Sequence, residues 1–151
     1  MTERTALSTQ DDFELWIFKM DDDLDDFVAQ LPEDVRRRLD FSPGSLYVLE
    51  KWLLERYPAH QSLLAESEKY LLDGTARYIG ETFRKNAGGH WTIDLDNPQN
   101  AFFGLPTLTG YRVPVAPHTL ATTATHRRTG SFLRTVLENT LKQQEVQKSG
   151  H

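Results

Sequence analysis

The stretch Asp21-Asp22-Asp23-Leu24-Asp25-Asp26 contains the spacing DDxxD twice. On a helix, carboxylates four residues apart share a face, so Asp21 with Asp25, or Asp22 with Asp26, have the spacing to hold Mg²⁺ through oxygen and leave positions for phosphate. The same residues also suit a solvated helix face, which is the default for such a run, or a docking surface for a basic protein. Five like charges this close repel, so the run costs helix stability whichever role it serves.

A second group gathers Tyr78, Glu81, Arg84, Lys85, His90 and Trp91 around the end of one predicted helix. Tyr78, Glu81 and Lys85 are three and four residues apart, and His90 falls just past the helix stop, where a neighbouring carboxylate can tune an imidazole for proton transfer or a ligand contact. The plain alternative is an i,i+4 pair between Glu81 and Lys85, a core Trp91 and an exposed His90. His118 and His126 flank a threonine-rich loop with Arg127 and Arg128 alongside, which would suit an anion held against the start of the last helix. Arg36-Arg37-Arg38 lies between Asp34 and Asp40 without interleaved aromatics, which argues against nucleic acid. The candidate ligand or partner residues are therefore Asp21, Asp22, Asp25, Asp26, Tyr78, Glu81, Arg84 and His90. No residue is assigned to catalysis or to a metal, and no cofactor is expected. GxSxG, HExxH, Walker A and GxGxxG motifs are absent, which leans away from an enzyme.

These residues need elements to hold them. Apolar positions 13, 16, 17, 20, 24, 27 and 28 predict a helix over 8–30 capped by Ser8 or Thr9, and a short helix 33–39 follows Pro32. Ser42 can cap, with Pro43 in the first turn, or Ser45 can cap one turn later, and either opens a helix over 43–57 that Pro58 ends. Spaced apolar residues from Leu64 to Ala87 predict one long helix over 61–87, stopped by Gly88-Gly89, and Gly74 and Gly80 inside it need a reason such as close approach of another backbone or a local bend. Trp91, Ile93 and Leu95 alternate with polar residues, so a small antiparallel meander is expected within about 90–115, with strands near 91–95, 101–105 and 111–115. A loop over 116–128 leads to a last helix over 129–145. The fold class is α+β in a single domain 1–151, with about 1–7 and 143–151 as frayed tails and the long helices covering one face of the sheet.

At 151 residues, 38% hydrophobic and 26% charged, the chain has the composition of an ordinary folded domain. It has no cysteine, which excludes disulfides, thiolate nucleophiles and sulfur-ligated zinc. The first fourteen residues lack the apolar run of a signal peptide, and no run approaches the roughly 20 residues that cross a bilayer, so a cytoplasmic protein away from the membrane is expected. The net charge of −5 is uneven: residues 1–40 hold twelve acids and five bases, residues 101–151 two acids and six bases. If the two ends lie together their charges partly cancel; if they lie apart, the acidic face repels nucleic acid and attracts a basic protein partner.

Ser45-Leu46 through Leu49-Glu50, Tyr78-Ile79-Gly80-Glu81 and Gly88-Gly89-His90-Trp91 form a pattern, SLxxLE, YxGE and GGxW. It resembles that of small uncharacterised bacterial α+β proteins, and some related small domains act as immunity proteins that neutralise toxins. The resemblance implies a structural pattern and carries over no catalytic residue. The DDxxD spacing also resembles the metal–diphosphate motif of prenyl-transfer and terpene-cyclising enzymes, but those are longer all-helical barrels with a second metal motif that this chain lacks. The reading that follows is an intracellular bacterial protein-interaction module, of immunity type, presenting an acidic N-terminal helix. The alternative is a small-molecule-binding or catalytic domain that uses a cleft between the long helix and the sheet, with Glu81 and His90 as polar contacts.

Overall fold

The computed structural model describes residues 6–149 and is α+β, with eight helices and a two-stranded antiparallel sheet among them. The predicted tails 1–7 and 143–151 lie partly outside the described residues. Of the parts within them, Leu7 is tied down by donating its N–H to the Gly104 carbonyl at 2.7 Å, and the last helix continues through Ser149.

The predicted helix over 8–30 is two helices, α1 (Gln10–Phe18) and α2 (Met20–Ala29), interrupted at Lys19, whose ψ is 7°. Thr9 caps α1 by accepting the Asp12 N–H at 3.0 Å. The interruption has a local cause in the core. The Trp16 carbonyl, which an unbroken helix would pair with the Met20 N–H, accepts instead from the buried Arg77 guanidinium at 2.8 Å. The apolar stripe survives the break, so Phe13, Trp16, Met20, Leu24 and Phe27 are all buried.

The short α3 (Glu33–Arg36) leads to α4 (Pro43–Arg56), which begins as expected, with Ser42 accepting the Ser45 N–H and Pro43 in the first turn. Its inward face is Leu46, Leu49 and Leu53. The predicted helix 61–87 is corrected to three pieces: α5 (His60–Leu63), a 3₁₀ turn (Glu66–Glu68) and α6 (Lys69–Ala87). Leu63, not Leu64, is the buried residue. Leu63 and Leu72 are nine positions apart, about half a turn out of phase on one helix, so a continuous helix could not bury both. The chain resolves this by going extended at Ala65, ψ 145°, and restarting.

Helix α6 is the centre of the molecule: every residue from Gly74 to Phe83 is buried. Its glycines make room for rings rather than for backbone. A Cβ on Gly74 would collide with Phe27, and one on Gly80 with the Trp91 indole. Gly88 and Gly89, at φ 75° and 94°, end the helix where expected.

The sheet is smaller than the predicted meander. Strand β1 (His90–Thr92) pairs with β2 (Thr107–Thr109), with Trp91 opposite Leu108, and the third strand is reduced to one bridge between Leu108 and Val115. Asp94 ends β1 early, since its carboxylate accepts the backbone N–H groups of Asp96 and Asn97 and the Asn100 amide, folding 94–100 into a turn. Residues 101–105 are also turns, not a strand.

The predicted loop 116–128 is helix α7 (Pro117–Arg127), with Pro117 in its first turn and His118, Ala121, Ala124 and Thr125 facing inward. The last helix, α8 (Phe132–Ser149), packs on α4, α6 and α7. No helix among the described residues is long and apolar enough to cross a membrane.

Candidate functional site

Two neighbouring regions concentrate the polar and exposed aromatic groups. The first is buried. Arg77, only 2% exposed, projects from the middle of α6 to the junction of α1 and α2. Its Nε donates to Asp73 Oδ2 at 2.8 Å, one terminal nitrogen reaches the Trp16 carbonyl, and the other pairs with Asp23 at 3.2 Å. The guanidinium also lies 4.2 Å from the Trp16 ring centroid. The other Asp73 oxygen accepts from Trp16 Nε1 at 2.8 Å and contacts His118 Nε2 at 3.0 Å. Burial pushes the Asp73 carboxyl up. The donors from His118, Arg77 and Trp16 more than offset this and hold it well below the usual carboxylate range. His118 Nδ1 is buried with no hydrogen-bond partner, and Nε2 is the ring nitrogen that meets Asp73.

The second region is the outer face of α1 and α2. Phe18 ends α1 with 84% of its surface exposed, and Leu15, one turn earlier, is 56% exposed. Both stand off the buried stripe. Asp21, Asp22, Asp25 and Asp26 are exposed on α2, whereas Asp23 turns inward to Arg77. Phe18 and Asp21 share a depression of about 240 Å³ with Glu81, Arg84 and Trp91.

The remaining candidate residues fall in different places. Tyr78 is fully buried and structural: its hydroxyl donates to Ser45 Oγ at 2.8 Å and accepts the Phe41 N–H at 2.9 Å, with the ring stacked on Phe41. Glu81 does not pair with Lys85. It accepts from Arg84 through both oxygens at 3.0 Å and from Trp91 Nε1 at 2.8 Å, while Lys85 lies over the Phe41 ring. The position of Trp91 explains this choice. Its indole fills the space over Gly80 and carries its N–H to Glu81. His90 is exposed on β1 opposite Thr109, so Tyr78, Glu81 and His90 are not brought together.

The N-terminus of the last helix, one place that the sequence offers to an anion, is taken by the chain itself. The fully buried Glu50 of α4 occupies the α8 N-terminus, accepting the N–H groups of Phe132 at 3.2 Å and Leu133 at 2.8 Å. Arg128 turns away to donate to the carbonyls of Leu54 and Tyr57. His118 faces Asp73, and His126 packs edge-on against His60. Among the described residues, no group of three or more His, Cys, Asp or Glu side chains is placed to hold a metal ion.

Phe18, Leu15, Asp73 and Arg77 were not candidates in the sequence. A charged i,i+4 pair, Asp73 and Arg77, on an otherwise apolar helix was the signal for the buried cluster, and an aromatic off the 13-16-20-24 stripe was the signal for Phe18. Comparison with family models, with curated proteins and with solved structures finds no match to the chain.

Proposed function

We propose that the chain is a protein-interaction module that docks a basic partner on the outer face of α1 and α2. The observation that carries this reading is Phe18: a large aromatic side chain, 84% exposed, beside the exposed carboxylates of Asp21, Asp22, Asp25 and Asp26. An exposed aromatic anchor beside a predominantly acidic helix face is the chemistry of an interface hot spot. The ring supplies desolvation energy and the rim supplies orientation and on-rate. Leu15 extends the apolar patch along α1. An immunity role in the cytoplasm, with a toxin's basic face as partner, is the form of this reading that the SLxxLE, YxGE and GGxW resemblance supports.

Affinity purification from the native host tests it, with the wild-type chain, Phe18→Ala, and a variant carrying asparagine at positions 21, 22, 25 and 26. The expected result is one protein captured by the wild type in a salt-sensitive manner and lost with both variants, whose circular dichroism is unchanged. A partner retained by both variants refutes the assignment of this face.

A further inference from the structure

An open cavity of about 460 Å³ lies between α1, the 3₁₀ turn and the first turn of α6, away from Phe18. Its lining is mostly apolar, with Leu7, Trp16 and the half-exposed ring of Tyr70, and the Asp73 carboxylate opens onto it. A carboxylate offers about four acceptor positions. Trp16 and His118 occupy Oδ1 and Arg77 takes one position on Oδ2, which leaves Oδ2 able to accept once more on a side chain that is 27% exposed.

The charges around the cavity select the sign of a ligand. Asp73 lines it, and burial, followed by the nearby charges of Asp26 and Asp23, pushes the Tyr70 hydroxyl up. Lys69 is the one cation among the described residues of the lining. Arg77 is buried beneath, with its guanidinium committed to Asp73, Asp23 and the Trp16 carbonyl. An anion entering here would meet Lys69 against several carboxylates, whereas an ammonium group would meet a carboxylate oxygen and aromatic rings.

We propose that this cavity binds a small organic cation, an amine with an apolar body, whose charged head sits at Asp73 Oδ2 and whose body lies against Trp16 and Tyr70. The cavity lining shares no residue with the proposed docking face; Asp26 alone bears on both, and none of the variants below changes it, so either proposal can fail without the other.

The test is calorimetric titration of the full chain with phenethylammonium and with phenylacetate, which have a similar apolar body and opposite charge. Saturable binding of phenethylammonium and none of phenylacetate at tenfold higher concentration is expected. Tyr70→Ala, a substitution at an exposed position, weakens the cation about fivefold through loss of the ring. Lys69→Glu, also exposed, strengthens it about threefold by removing the repelling charge. Asp73→Asn abolishes binding. Because that variant also loosens the buried cluster, the two surface variants decide the matter if it does not fold. Absence of saturation with phenethylammonium, equal affinity for phenylacetate, or an affinity unmoved by both Tyr70→Ala and Lys69→Glu overturns the proposal.

Discussion

Replacing Arg77 by methionine keeps an unbranched apolar stem and deletes the guanidinium. Four interactions go with it: the donor to Asp73, the pair with Asp23, the donor to the Trp16 carbonyl and the contact with the Trp16 ring. Removing one partner of a buried ion pair costs about 3–5 kcal/mol, and because Asp73 and Asp23 are each about a quarter exposed, the lower end, about 3 kcal/mol, applies. Leaving the Trp16 carbonyl without a donor at the break between α1 and α2 adds about 1 kcal/mol. The total of about 4 kcal/mol corresponds to a fall in Tm of roughly 8–16 °C for a chain of this size. Urea unfolding at neutral pH, followed by circular dichroism and tryptophan fluorescence, should show a lower midpoint with an unchanged slope. Adding Asp73→Asn to Arg77→Met relieves the uncompensated charge and should recover at least about 1 kcal/mol. The wild-type Asp73 carboxyl is held below its ordinary range, so its contribution is complete above about pH 4 and is lost as the pH falls below that. In Arg77→Met the acid-side loss still begins near pH 4, where the unfolded chain titrates, but it is smaller and is complete at a higher pH. A destabilisation below about 1 kcal/mol at neutral pH, or a double variant weaker than Arg77→Met alone, would refute the cluster as the clamp between α6 and the first two helices.

Three further outcomes follow from the packing. Glu50→Ala leaves the Phe132 and Leu133 N–H groups without their acceptor, costing about 2–3 kcal/mol, and hydrogen exchange should speed up first at the start of α8. Burial, reinforced by the bond to Glu68, pushes Tyr57 up to about 12, and burial does the same for Tyr111, so their contribution is intact below about pH 10 and lost as the pH rises from 10 to 12. Phenolate absorbance and unfolding midpoints measured together across that range check this, and Tyr57→Phe should flatten the loss. Gly80→Ala drives a methyl group into the Trp91 indole, displaces its bond to Glu81 and costs about 1–3 kcal/mol, visible as an altered near-ultraviolet dichroism of the tryptophans.

Local rules were legible where local chemistry dominates. Ser42-Pro43 opens α4 and Gly88-Gly89 closes α6 because caps and positive φ are decided within a few residues. The need for space at Gly74 and Gly80 was also readable, although not that aromatic rings would fill it. What escaped depends on distant partners. The break at Lys19 is tied to a guanidinium 58 positions along the chain, and Asp94, by folding back on its own backbone, undercuts an alternation that reads as a strand. Helix α7 was hidden because its buried face is Ala121, Ala124, Thr125 and His118, residues too small or polar to make an apolar stripe. Tyr78, Glu81 and His90 are close in sequence yet were separated by Phe41, by Trp91 and by the edge of β1, neighbours that spacing alone does not name.

The Glu50 cap also bears on how the chain reaches its fold. Its carboxylate sits in the first half of the chain and its N–H donors arrive 82 and 83 residues later. During synthesis, α4 can bury its leucine face early only by stranding a charge in the interior, so a closed core of the earlier helices stays unfavourable until α8 has emerged and docked. The tightening of the core is thereby coupled to arrival of the C-terminal helix. A chain truncated before Phe132 should remain loosely collapsed and open to proteolysis rather than settle into a stable fragment.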